Sequence, residues 1–341
     1  MDLFGVSTTP PATRAAAAIT HPSAPIPVQG KPVGESVRVA LGETGLRVFP
    51  FVLGTSEFGW HVDLAAAHRI LDAYRGWGGN AIHTSDGYAA GRSEHILGQW
   101  LRGRGGRDEV VLGVRVGSNP DHSGLGSVNL IRAVEASLTR LQTDRIDVLY
   151  LDATSDATTS LEDTLATAEW LIEAGKVRAL GSFGHTAAQL VEARILASAG
   201  YPWLTVLDVG YNVLHRTEFE GDLRLVAGAQ GIAVTPSRAL EHGYLAGVHR
   251  TPAGVAASVR GSQLVSSMNR RGARALRALD RIGAELSIPT AAVAIAWLLA
   301  QRGVVAPIVN VYAVAHVDEL VQGVGVRLSR VHLAEIARAV Q

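Results

Sequence analysis

The chain of 341 residues is 47% apolar and carries 31 basic against 31 acidic side chains, so its formal net charge is zero. That length suits one large α/β barrel or two ordinary domains, and the even charge excludes the basic face that nucleic acid or an anionic membrane would require. With no cysteine there is no disulfide frame, thiolate metal site or cysteine nucleophile, which fits the cytoplasmic location expected for the chain.

Residues 1–36 are rich in Pro, Ala, Ser and Thr. They lack a basic start followed by an apolar core, so they are expected to form a weakly ordered arm, not a signal peptide. No stretch approaches the roughly 20 apolar residues needed to span a membrane. Residues 37–341 are expected to be a single domain. Short apolar runs alternate there with longer helical patterns. The predicted strands are Phe51–Gly54, Asn80–Thr84, Glu109–Val116, Arg145–Leu151, Val177–Ser182, Val206–Val209, Ile232–Pro236 and Ala306–Val309. They are apolar over most of their length, as strands covered on both faces tend to be. Predicted helices are Leu64–Trp77, Leu130–Leu141, Leu161–Ala174, Ala187–Ala199, Arg271–Glu285 and Ala291–Gln301. The first carries Leu64, Ala67, Ile70, Leu71 and Tyr74 as one stripe. Eight such strand–helix steps predict a closed (β/α)₈ TIM barrel. The alternative, an open doubly wound sheet, would be supported by GxGxxG directly after a strand, and none is present. There is no HExxH spacing and no P-loop, and no metal site is expected.

Several segments together resemble the aldo-keto reductase family: "LGETGLRVFPFVLGTSEFGW", "GGNAIHTSDGYAAGRSEHILGQWL", "SLTRLQTDRIDVLYL", "LIEAGKVRALG", "VGYNVLHR" and "PTAAVAIAWLLAQRGVVAPIV". The resemblance implies a barrel that binds NADPH without a Rossmann fold. It also implies a catalytic Tyr that protonates the substrate carbonyl, helped by a Lys, an Asp and a His. A phenol with pKa near 10 needs nearby positive charge to do this at neutral pH.

Carried over position by position, the resemblance keeps the Tyr as Tyr88 and replaces the other three. The Asp becomes His83, the Lys becomes Arg115 and the His becomes Asp152. The cofactor positions change as well. The Ser-Asn pair that holds the carboxamide is Phe183-Gly184, and the Gln on the next strand is Asp208. A serine on the pyrophosphate side is Arg238. The Arg that reads the 2′-phosphate is Tyr312, and the adenine-side Gln and Asn are His316 and Leu320. Trp60, Thr55 and Tyr211 are kept, Tyr211 being expected to stack on the nicotinamide.

All four tetrad positions stay polar, and an unpaired buried charge is costly, so a working acid–base site is expected there and not a decayed one. His83 is the expected general base or acid near neutral pH. Asp152 is expected to orient His83 or pair with Arg115, Arg115 to stabilise negative charge, and Tyr88 to donate a proton. Trp60, Phe183, Tyr211, His185 and Asp208 are the expected substrate pocket. The loop Gly247–Arg270 either folds over the mouth as a lid or is disordered. The expected function is a non-redox acid–base reaction (dehydration, isomerisation or cyclisation) on a small carbonyl or hydroxyl metabolite of a biosynthetic pathway. No cofactor is expected, with NADPH as the alternative. One rival is an NADPH-dependent carbonyl reductase with an altered site; another is a catalytically silent binding or subunit barrel. The expected partner is a small molecule, without nucleic acid or membrane, and the sequence leaves the oligomeric state open.

Overall fold

A computed structural model describes residues 37–256 and 260–341; the N-terminal arm lies outside them. The eight predicted strands form one parallel sheet. They are β3 (Val52–Gly54), β4 (Ala81–Ser85), β5 (Val111–Val116), β6 (Ile146–Asp152), β7 (Val177–Phe183), β8 (Leu204–Asp208), β9 (Ala233–Val234) and β10 (Ile308–Asn310). Their order in the sheet is β10-β3-β4-β5-β6-β7-β8-β9. The sheet curls until its edges meet. Val234 N donates to Gly303 O at 3.0 Å, Val305 N to Val234 O at 2.9 Å, and Ile308 N to Pro236 O at 2.8 Å. The chain is thus a (β/α)₈ barrel.

The sequence reading missed a small hairpin before the barrel, in which β1 (Val39–Ala40) pairs antiparallel with β2 (Arg47–Val48). Its strands are two residues long, too short for an alternation signal. Leu41, Leu46 and Val48 plug the N-terminal end of the barrel against Val52, Ala81, Val148, Val206 and Ile308. Asn80 ties the two together by accepting from Phe49 N at 2.8 Å and donating to Arg47 O at 2.9 Å. The predicted helices form, and so do helices at Arg92–Arg104, Asp222–Ala229, Val314–Val324 and Arg330–Ala339.

Side chains of a strand alternate between faces. Leu53, Ile82, Leu112, Val114, Leu149, Leu180 and Leu207 join the outer core under the helices. Their neighbours Val52, Ala81, Val148, Tyr150 and Val206 point into the lumen. This alternation positions the site. Two residues beyond Ala81 comes His83, two beyond Tyr150 comes Asp152, and two beyond Val206 comes Asp208.

Tyr150 is the large plug of the middle layer. A Cβ at Gly181 would lie 2.5 Å from its ring, and one at Gly113 2.9 Å from it. The two glycines therefore make the space the ring occupies. Gly181→Ala is expected to destabilise the protein by about 1–3 kcal/mol through overpacking, measured by urea unfolding; an unchanged midpoint would show that the ring can move aside.

Candidate active site

The upper lumen is built from strand ends. Ser85 is in register with Arg115, Arg115 with Tyr150, Asp152 with Phe183, and Phe183 with Asp208. Tyr88 arrives on the loop after β4. Asp86 anchors that loop, its carboxylate accepting from Gly117 N at 3.0 Å and from Ser118 Oγ at 3.2 Å, its carbonyl from Asn119 Nδ2 at 2.9 Å. After Tyr88 the chain holds Ala89 (φ 49°), Ala90 (φ 54°) and Gly91 (φ 82°) in left-handed conformations. An alanine there costs on the order of 1–3 kcal/mol, and such strain persists only where surrounding contacts impose it. Gly91 is further crowded, since a Cβ would lie 2.8 Å from the Arg140 side chain.

The structure brings His83, Tyr88, Arg115 and Asp152 together, with Asp208 as a fifth member. The Arg115 guanidinium lies 5.5 Å from the centre of the Tyr88 ring and 4.2 Å from that of Phe183. Its Nε is 3.5 Å from Asp152 Oδ2. The His83 ring is 6.4 Å from Tyr88 and 5.1 Å from Tyr150, centre to centre. Asp152 therefore pairs with Arg115; the carboxylate next to His83 is Asp208, whose Oδ2 lies 3.9 Å from His83 Nε2. Asp152 also accepts from Thr154 N at 3.0 Å and Thr154 Oγ1 at 2.5 Å. In contrast, neither His83 nitrogen and neither Asp208 oxygen makes a well-formed hydrogen bond, although all four are buried. The hydroxyl and backbone N–H of Ser237 both favour the charge on Asp208.

These surroundings correct one expected role. Burial, reinforced by the Arg115 charge, pushes the His83 pKa down to about 3, so the imidazole is neutral and a poor base near pH 7. Burial pushes Asp208 up to about 6 despite Arg115, so Asp208 is the group that titrates near neutrality. Burial raises the Tyr88 phenol, Arg115 lowers it, and Asp208 raises it. The residue types alone favoured the histidine; only burial reverses the order.

Above this floor opens a cavity of about 640 Å³, a size typical of small-ligand sites. Tyr88, Arg115 and Phe183 line its base, and Trp60, which is 68% exposed, stands at its rim. Arg238, Arg260 and Tyr312 line its walls. Five expected residues do not line it. Asp208, expected in the substrate pocket, is buried below the cavity lining. Tyr211 is fully buried in the outer core, 5.0 Å from Phe219 and 5.3 Å from Trp297, with its hydroxyl donating to Glu220 at 2.6 Å. It sits beyond the end of β8, where the alternation no longer decides the face. His185 is buried against Ser182 Oγ at 3.0 Å, with its pKa pushed down to about 4 by that burial. His316 Nδ1 accepts from Tyr312 N at 3.3 Å, and Leu320 is a core residue. The cavity also holds Ser237, Glu57 and Arg260, which the sequence reading did not single out.

Of the loop Gly247–Arg270, Arg260 and Gln263 reach the cavity lining. The loop carries short helices at Pro252–Ala256 and Gly261–Leu264. Between them Arg260 bonds to Glu57, and its Nε donates to the Tyr312 hydroxyl at 3.2 Å. Burial opposes the charge on Glu57, but hydrogen bonds from His61 and Arg260 hold its carboxyl below the usual range. A guanidinium thus stands beside Tyr312, where the sequence alone left no positive charge.

The His83 shift has a stability consequence. In the unfolded chain the imidazole protonates near 6.5, but in the folded protein only near 3. Its contribution is complete above about pH 6.5 and is lost as the pH falls toward 3. Asp208, raised from 3.8 to about 6, acts in the opposite sense between those values. Urea unfolding at pH 7 and pH 5 should show that His83→Gln loses less stability than the parent on acidification, by on the order of 1–2 kcal/mol. Equal losses would mean that His83 protonates freely in the fold.

A model of the aldo/keto reductase family matches residues 50–341. The aldo-keto reductase ausK of Emericella nidulans is 31% identical over 86% of this chain and 78% of its own length. Norsolorinic acid reductase stcV of the same organism is 29% identical over 88% and 80%. A probable voltage-gated potassium channel subunit beta of Oryza sativa is 30% identical over 75% and 81%. These matches overturn the expectation of a barrel without a cofactor, because reductases of this family are the proteins the chain is similar to. They also give no support to a departure from redox chemistry. At Tyr312, where the family pattern has an arginine, Arg260 supplies a guanidinium from another element. By its sequence match and its barrel, the chain belongs to the aldo/keto reductase family.

Proposed function

We propose that the protein is an NADPH-dependent reductase of a carbonyl compound with a flat, largely aromatic body. The observation that carries this reading is the placement of the Arg115 guanidinium 5.5 Å from the Tyr88 ring at the base of the cavity. A permanent cation beside a phenol is what proton donation at neutral pH requires.

The chemistry of the donor set supports the cofactor. Arg238 and Arg260 put two guanidinium groups on the cavity wall, suited to the phosphates of a dinucleotide, and Tyr312 and Ser237 add hydroxyls. NADPH, when bound, supplies the hydride for the carbonyl carbon. Tyr88 gives its hydroxyl proton to the carbonyl oxygen. Arg115 stabilises the phenolate left behind, because a guanidinium keeps its charge at every working pH. Asp152, fixed by Thr154, holds Arg115 in place. The neutral His83 closes the floor next to Tyr88. Trp60 at the rim and Phe183 at the base give a flat substrate apolar faces. The similarity to norsolorinic acid reductase supports a place in a biosynthetic route.

The test is calorimetric titration with NADPH, followed by turnover of a panel of aryl ketones and aldehydes. Micromolar binding and NADPH-dependent reduction are expected, with Tyr88→Phe losing roughly 10²-fold or more in kcat. Arg238→Ala should weaken NADPH binding by about 10-fold, the scale of a charge-assisted hydrogen bond to phosphate. A parent protein that does not bind NADPH overturns the reading, and turnover without it would favour the non-redox acid–base alternative. Binding without turnover across the panel would favour a silent barrel such as a channel subunit.

A further inference from the structure

Beneath the cavity floor lies a group of charges whose balance the steps above leave open. Arg115 is flanked by two carboxylates that differ in kind. Asp152 takes two hydrogen bonds from Thr154 and lies 3.5 Å from Arg115 Nε. Asp208 is 1% exposed, and neither of its oxygens has a well-formed hydrogen bond. A buried carboxylate so poorly solvated is the one that gives up its charge first. With both ionised, these three groups carry one positive and two negative charges. With Asp208 protonated, they carry one of each. Buried Asp86 also acts on the Arg115 charge, from the loop that carries Tyr88. The Tyr88 ring lies against Arg115, and its proton affinity follows that balance.

We propose that Asp208 is a positioning residue which, acting through Arg115, sets how firmly Tyr88 holds its proton: ionised, it offsets the Arg115 field, and protonated, it leaves that field to the phenol.

The groups that face Asp208 are few. Arg115 from β5 favours its charge, Ser237 beyond β9 favours it through its hydroxyl and backbone N–H, and Asp152 from β6 opposes it. His83 from β4 lies 3.9 Å away and stays neutral over the relevant range. The Tyr150 hydroxyl from β6 is engaged with Thr235 Oγ1 at 3.3 Å. Since its pKa is raised to about 6, Asp208 is protonated below that pH and ionised above it. Tyr88 is accordingly the stronger acid on the low-pH side. A weaker phenol makes a poorer proton donor, so carbonyl reduction slows as the pH rises through about 6.

The primary readout needs neither cofactor nor substrate and so does not depend on the proposed reductase reading. Protein labelled with ¹³C at tyrosine Cζ is titrated by NMR, with Tyr88→Phe assigning the Tyr88 signal. In the parent, that signal should step between pH 5 and 7 together with the side-chain carboxyl signal of Asp208. In Asp208→Asn the step should vanish, and the phenol should ionise at a pH lower by about one unit. Asp208→Glu, which keeps the carboxyl, should restore the step. The kinetic arm rests on the reductase reading. There kcat of the parent should fall by about 3-fold as the pH rises through 6, while that of Asp208→Asn stays flat. If Asp208→Asn does not fold, the parent titration decides alone. No common step, or an unchanged Tyr88 midpoint in Asp208→Asn, overturns the proposal; a purely structural role for Asp208 would give that result.

Discussion

Arg115 is a charge that cannot be neutralised, held in the lumen of a barrel. A guanidinium keeps its proton at any physiological pH, and burying it alone would cost several kcal/mol. The floor of the site is arranged around that cost. Asp152 pairs with it from the neighbouring strand, Asp208 opposes it from across the lumen, and the rings of Phe183 and Tyr88 present π faces to it. His83 gives up its own charge because burial and then the Arg115 field disfavour a second cation there. The acidity of Tyr88 is one more consequence of the same field. A lysine at this position could trade its proton, while an arginine can only hold charge in place, so titration passes to a carboxylate.

The walls follow a second constraint, which is how the chain enters the lumen. Strand ends set the floor with little freedom, but Tyr88 and Arg260 come from loops. The Tyr88 loop is held by Asp86 and by left-handed alanines that only a crowded setting imposes. Arg260 is held from the barrel side by Glu57 and Tyr312. Arg260 is thus fastened at the cavity wall. Two guanidinium groups, Arg238 and Arg260, line the cavity although Tyr312 stands where the family pattern carries an arginine.

The barrel was legible in the sequence because its strands are buried on both faces and its helices bury one stripe, and both leave strong patterns. All eight strands were found, with ends displaced by a residue or two. The two-residue strands of the hairpin left no pattern at all. The faces of the strands were equally legible. Once Ala81, Tyr150 and Val206 are lumenal, a period of two places His83, Asp152 and Asp208 in the lumen above them.

What the sequence could not determine was which of those groups carries a proton, and what crosses the cavity from far along the chain. His83 has the residue type that titrates near neutrality, but its pKa depends on burial and on Arg115, 32 positions later. Asp208 looked like a lining residue until its burial without a well-formed hydrogen bond was visible. Tyr211 was expected in the pocket, but it lies beyond the end of β8, where strand alternation stops, and packing against Phe219 and Trp297 turned it outward. Arg260 meets Glu57 across a separation of 203 residues. Residue type and period are local properties of the chain, whereas proton affinity and long-range pairing depend on what surrounds a group in space, and closing the barrel is what creates those surroundings.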